Sequence, residues 1–257
     1  MSFTHWACAM ALALAFLTGA QAQAEPRVAL VVGNAQYNGG LLPPLKNPIN
    51  DAKLMAATLK KAGFKVLVAE NVGLREMKIA IGDFGAALAE AGSSATGLFF
   101  FAGYGVQGDG ASYLLPIGAK LRRTMDLGAE AVALDTVMKE MHFAGSAVNI
   151  AIIDAGRNNP LVSSYRGPGF GLAETRYADP NVFVSYSTVP GTTALDGKGS
   201  NSPYVSALAS AMLTPGADIH RVFETVRQDV FRATKQGQVT WDASTLMQPF
   251  FFLPPPS

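Results

Sequence analysis

Thiols and imidazoles, the side chains best suited as nucleophile and base near neutral pH, are few in this chain. Its only cysteine is Cys8, and of its three histidines only His142 and His220 lie beyond residue 24. Nucleophilic catalysis needs a thiol or hydroxyl beside a group that accepts its proton near neutral pH. Ser185 and Ser187 stand in the apolar run NVFVSYS, yet neither a histidine nor a lysine is placed by sequence to activate them. His142 falls within a helical pattern and His220 at a helix start, positions that read as surface or core histidines. Carboxylates stand out more. Asp154 closes an apolar run, where an acid on a buried strand needs a specific partner. Asp51 reads as an N-cap or first-turn acid of a helix, and Asp196, before Gly197, as a turn former.

The elements that must position these groups follow from periodicity. RVALVVG (27–33) is an apolar run stopped by glycine, and residues 51–62 then space Leu54, Ala57, Leu59 and Ala62 as in a helix. A strand over 64–69, a helix over 74–91 and a strand over 96–102 continue a β-α-β-α-β order. Further on, 113–117 reads as a hairpin arm, 134–143 as a helix, 147–154 and 181–187 as strands, 204–213 and 219–234 as helices, and 249–253 as a last strand. Strands apolar on both faces that alternate with helices predict an α/β domain with a mainly parallel sheet of about six strands. Ligands of such sheets sit beyond the carboxyl ends of the strands. Tyr104 and Gly156 each follow an apolar strand directly and should meet there, so the tyrosine ring is expected to fill part of the space beside the glycine.

Residues 1–24 carry no charged side chain, and 7–17 form an apolar run too short to span a bilayer, closing on Ala22-Gln23-Ala24. That pattern predicts a cleaved signal peptide over 1–24 and export to a periplasmic or secreted location, with no membrane span after its removal. The mature chain then has no thiol, hence no disulfide and no cysteine-based metal site. Twenty basic and nineteen acidic residues without a basic block argue against nucleic acid as a partner. The 25–257 part suits one domain with a large core. Within it, 161–180 lacks periodicity and reads as a linker-like loop between 25–160 and 181–257.

Two strand ends carry a family resemblance: FFFAGYGVQ (99–107) and IIDAGRNNP (152–160). They resemble the FYYAGHGVQ and IIDACRNNP segments of bacterial caspase-like domains, the metacaspases and orthocaspases of peptidase family C14. Caspases place the histidine about 50 residues before an Ala-Cys-Arg type segment, and the interval from Tyr104 to Gly156 fits. SYSTVPGTTALDGKGSNSPY (185–204) resembles the substrate-cleft strand and loop of that family, and 219–252 its closing helix and final strand.

The resemblance implies a caspase-hemoglobinase fold, a three-layer sandwich, and a cysteine peptidase dyad whose positions here hold Tyr104 and Gly156. A phenol with a pKa near 10 is ionised in about one molecule in a thousand at pH 7 and does not replace imidazole as a base. Glycine offers no nucleophile. The expectation is therefore a pseudopeptidase, not an enzyme. The resemblance also assigns Asp51 and Asp154 to an acidic pocket for a basic side chain, and Ser185, Tyr186, Ser187 and Asp196 to the same cleft. A peptide or protein with exposed arginine or lysine is the expected partner, held by charge-assisted hydrogen bonds. No cofactor is expected, and no dense acidic cluster of the calcium-binding kind is present. The resemblance further implies a monomer, for which Pro254-Pro255-Pro256 ending the last strand is a second reason. Two other readings stay open: a hydrolase with an unrecognised nucleophile, and a scaffold whose cleft has no ligand. Arg166 and Arg176 lie where relatives are cut between their two parts, and without a nucleophile self-cleavage there is not expected.

Overall fold

The computed structural model describes residues 25–37, 42–156, 171–174 and 177–256. In chain order its elements are β1 (Arg27–Gly33), α1 (Pro48–Lys61), β2 (Lys65–Glu70), α2 (Leu74–Ala91), β3 (Thr96–Ala102), β4 (Gly105–Gly108) and β5 (Ala111–Leu114). Then follow α3 (Leu127–Glu130), β6 (Val132–Ala133), α4 (Leu134–Phe143), β7 (Val148–Asp154), β8 (Val182–Tyr186), α5 (Pro203–Ala211), α6 (Ile219–Ala233) and β9 (Trp241–Ser244). Six strands form the main sheet in the order β2-β1-β3-β7-β8-β9, and β4-β5-β6 form a small second sheet. All neighbours in the main sheet pair in parallel except β9, which runs antiparallel to β8.

Strands β1, β3 and β7 are apolar on both faces because both faces are covered. Ala29, Val31, Leu98, Phe100, Ile150 and Ile152 point into a core built with α1, α5 and α6. Val28, Leu30, Val32, Phe99, Phe101 and Ile153 point into a second core built with α2 and α4. The result is the helix-sheet-helix sandwich expected from the pattern. Close seating of α1 on β1 requires Gly33, where a Cβ would stand 2.6 Å from the Pro48 carbonyl oxygen and 2.7 Å from the Ala52 Cβ. The small sheet turns on Asp109-Gly110, both at positive φ (49° and 78°), a geometry matched to a tight hairpin. Among the described residues no helix is long and apolar enough to cross a membrane.

One expected element is elsewhere. The last strand is β9, Trp241–Ser244, not 249–253. Phe250 and Phe252 are buried and pack edge to face at 5.1 Å, so the alternation that suggested a strand is satisfied by an extended tail. That tail makes only an isolated bridge, Asp218 to Phe251. Pro249 removes a ladder donor, whereas Trp241 gains the ring of Tyr186 on β8 at 5.6 Å. The edges of the sheet are therefore β2 and β9, and the C-terminal prolines lie on neither strand, which removes that reason for a monomer.

The tail is held by Arg27. Its Nη1 donates to the Ala62 and Phe252 carbonyls at 3.1 and 2.8 Å, and its Nη2 to the Phe251 carbonyl at 2.9 Å. Its guanidinium also stacks near Phe64 and Phe250, at 5.6 and 5.1 Å from the ring centroids. Charged hydrogen bonds to carbonyls that otherwise lose water are worth about 1.5–3 kcal/mol each before non-additivity. Arg27→Ala should lower the urea midpoint by the equivalent of about 2–4 kcal/mol with an unchanged slope. Arg27→Lys should recover under half of that, because an ammonium lacks the fork that spans three carbonyls.

Candidate functional site

Parallel pairing of β3 with β7 sets Ala102 opposite Asp154. Two residues on, the chains carry Tyr104 and Gly156 off the same sheet edge, tied by Gly103 N–H to the Asp154 carbonyl (3.2 Å) and Gly105 N–H to the Ala155 carbonyl (2.7 Å). Only glycine fits at 105, since a Cβ would stand 2.9 Å from the Ala155 Cβ. Tyr104 is buried and packs edge-on against Tyr37, centroids 4.8 Å apart at 82°. The Tyr37 hydroxyl accepts from the Tyr104 N–H (3.0 Å) and donates to the Leu115 carbonyl (2.9 Å). Leu115, Leu121 and Val106 complete this apolar cluster. The ring thus belongs to the Tyr37 cluster. A Cβ on Gly156 would first meet the Thr188 methyl at 3.0 Å, the Thr192 carbonyl oxygen at 3.4 Å and the Ala194 nitrogen at 3.7 Å, so loop 188–194, not Tyr104, closes that side.

The carboxylates lie on the α1/α5 side of the same edge. Asn47 holds the N-cap position of α1, which leaves Asp51 inside the first turn and fully buried. Its Oδ1 accepts from the Asn201 side-chain amide at 2.9 Å and from the Ser202 N–H at 3.0 Å. Ser202 in turn caps α5, taking the Val205 N–H at 3.0 Å. The Asp51 Oδ2 accepts no hydrogen bond among the described residues. Burial first, then the negative charge of Asp154 and a smaller push from Asp196, raise the Asp51 pKa to about 7 against the two donors on Oδ1. Asp196 belongs to the loop that lies on the start of α1: its carboxylate accepts the Lys46 N–H at 2.9 Å and its carbonyl the Asn47 side-chain amide. Lys46 Nζ reaches the Lys198 carbonyl (2.8 Å), and the Asn50 amide reaches the Ser200 carbonyl (3.0 Å).

Strand β8 divides the remaining candidates. Ser185 and Ser187 share the face of Phe183, toward α5, whereas Tyr186 points into the opposite core with Val182 and Val184. Tyr186 is therefore a core residue and is not brought into the cleft. Ser185 Oγ accepts the buried Tyr204 hydroxyl at 2.8 Å and donates to the Trp241 carbonyl at 3.2 Å. Burial pushes the Tyr204 phenol well above its ordinary range, so it is a donor to Ser185 and no base for it. Ser187 is buried, its carbonyl held by the Gln238 amide at 2.6 Å. His142, near Asp179 (3.9 Å), and His220, against Phe183 (5.8 Å), both flank the amino-terminal end of β8, the other end of the sheet. Asn201, Ser202 and Tyr204 escaped assignment from the sequence, although the Asn-Ser-Pro-Tyr run marked a helix cap. Arg157, Arg166 and Arg176 lie outside the described residues.

A family model described as the caspase domain (Peptidase_C14) matches residues 26–251. The human mucosa-associated lymphoid tissue lymphoma translocation protein 1 is 24% identical over 176 residues, 68% of this chain and 20% of that protein. Its mouse homolog matches over the same share. This chain thus spans about a fifth of the length of these curated relatives. The crystal structure of caspase-1 from Spodoptera frugiperda matches with a TM-score of 0.60 at 17% identity, covering 90% of both chains, a likeness of fold.

The raised Asp51 pKa has a signed consequence for stability. A carboxyl with an unfolded pKa near 4 and a folded value of about 7 is protonated only in the fold across that window. Its stabilising effect is complete at the acid end and falls as pH rises from about 4 to 7, by at most about 1.4 kcal/mol per pH unit. Asp51→Asn keeps the Oδ1 acceptor and removes this titration. The stability of the variant relative to wild type should rise between pH 4.5 and 7.5 in urea melts. Parallel curves would mean that Asp51 titrates normally.

Proposed function

Because this chain belongs to the caspase-domain family, peptidase C14, yet has tyrosine and glycine at the two dyad positions, we propose that it is a pseudopeptidase. It resembles the bacterial metacaspase and orthocaspase branch, and its cleft binds a basic side chain of a peptide or protein without cutting it. The observation that carries this reading is Gly156: the strand end that presents a thiolate in active relatives presents no side chain, and the chain's lone cysteine is Cys8. In another protease class, loss of the nucleophile alone costs on the order of a million-fold in rate. Ser185 is engaged with Tyr204 and Trp241, which argues against its use as a substitute.

Binding is supported by the buried Asp51 carboxylate beside Asp154. A guanidinium or ammonium entering there relieves like-charge repulsion and replaces a proton. We further propose export by the 1–24 leader, which brings the cleft to envelope or external partners.

Calorimetry with an arginine-containing peptide tests both halves. Binding should strengthen from pH 6 to 8, release about one proton per peptide near pH 6 and almost none near pH 8 by comparison of buffers, and weaken with salt. Asp51→Asn or Asp154→Asn should each weaken it at least about tenfold, and no cleavage should be seen. Tyr104→His with Gly156→Cys should restore cleavage after arginine, the Thr188 methyl giving way by a few tenths of an ångström, while neither single change suffices. Turnover by the unaltered chain would refute the silent dyad. Indifference to basic peptides in both proteins would refute the pocket.

A further inference from the structure

Helix α2 carries two interior glycines, Gly82 and Gly85, although alanine has the better intrinsic helix propensity. Gly85 has an internal reason: a Cβ there would collide with the Glu140 side chain of α4, whose Cγ would lie 2.7 Å away. Gly82 has none. It is exposed, and a Cβ on it would meet no atom within 4 Å. Gly128 of α3 is alike, exposed with nothing within 4 Å.

Gly82 and Gly128 line one cavity of about 410 Å³ between α2, α4 and the small sheet, which shares no lining residue with the acidic cleft. That volume is in the range of small-molecule sites. Its lining is apolar around Ile81, Tyr113 and Val132, with Ile81 and Val132 buried. It carries two charged groups of opposite sign, Lys78 on α2 and Glu140 on α4. Neither forms an ion pair with another described residue, while their neighbours Lys139 and Asp135 pair with each other. A ligand with one charge would leave the other wall unanswered. Glu140 is half-buried, where a cation gains more than in open water.

We propose that this cavity binds a small zwitterion with an apolar body, a free apolar amino acid or a short apolar peptide. The ammonium lies at Glu140, the carboxylate at Lys78, and the side chain over Ile81 and Val132. The missing side chains at 82 and 128 leave the mouth open for the main chain of the ligand.

Calorimetry on the full chain with L-leucine, leucinamide and 4-methylpentanoate tests this. Leucine should bind at millimolar concentration, and each single-charge analogue at least tenfold more weakly. Gly82→Leu should abolish leucine binding while raising the thermal midpoint of the free protein, since it adds a helix former facing open space. Glu140→Gln should erase the preference of leucine over 4-methylpentanoate. Lys78→Gln should erase its preference over leucinamide and serves as the test if Gly82→Leu misfolds. Asp51→Asn should leave leucine binding unchanged, which separates this cavity from the acidic cleft. No heat with leucine or Leu-Leu at millimolar concentration overturns the proposal, as does binding that survives Gly82→Leu or both charge removals.

Discussion

The parallel ladder between β3 and β7 is the constraint from which the rest follows. Parallel neighbours leave a sheet at the same edge, so the segments after Ala102 and Asp154 must emerge side by side. Each parallel strand must then return by a crossover. The helices α1, α2 and α4 within those crossovers, with α5 and α6, cover both faces and make the inner strands apolar on both. What the two emerging segments carry is free to vary without touching that frame. Tyrosine at 104 is absorbed by the Tyr37 cluster, and glycine at 156 by the approach of loop 188–194. Positions 104 and 156 lie past the last ladder pair, where no sheet hydrogen bond depends on the side chain.

Asp51 is the counterpart of this freedom. Its one saturated oxygen fixes Asn201 and Ser202, and through the Ser202 cap it fixes where α5 begins. Four further hydrogen bonds from residues 46, 47 and 50 lay the 196–200 loop on the start of α1. A carboxylate in that place holds the loop through Oδ1 and leaves Oδ2 without a hydrogen bond among the described residues. The position of the 196–200 loop and the raised carboxyl pKa therefore meet in one side chain.

Much of this was legible from residue order. The doubly apolar runs 27–33, 96–102 and 148–154 gave the sheet, because a strand covered on both faces has no polar side to show. The segment 249–253 misled because Phe250 and Phe252 alternate like a strand while Pro249 withholds a donor. Tyr186 could have been excluded from the cleft by the same alternation, since adjacent Ser185 and Tyr186 face opposite sides of any strand. Pairs far apart in sequence were beyond reach: nothing local joins Asp51 to Asn201, or Ser185 to Tyr204. The push on Asp51 toward neutrality arises from burial, which is a property of the assembled sandwich and of no single segment.

The guanidinium of Arg27 joins the first strand of the sheet to residues 251 and 252. Strand β1 has its ladder partners β2 and β3 within residues 65–102, but Arg27 gains two of its three carbonyl partners only from residues 251 and 252. The bond that closes the Phe64 side of the core therefore joins residues 225 apart in sequence, among the most non-local contacts of the fold.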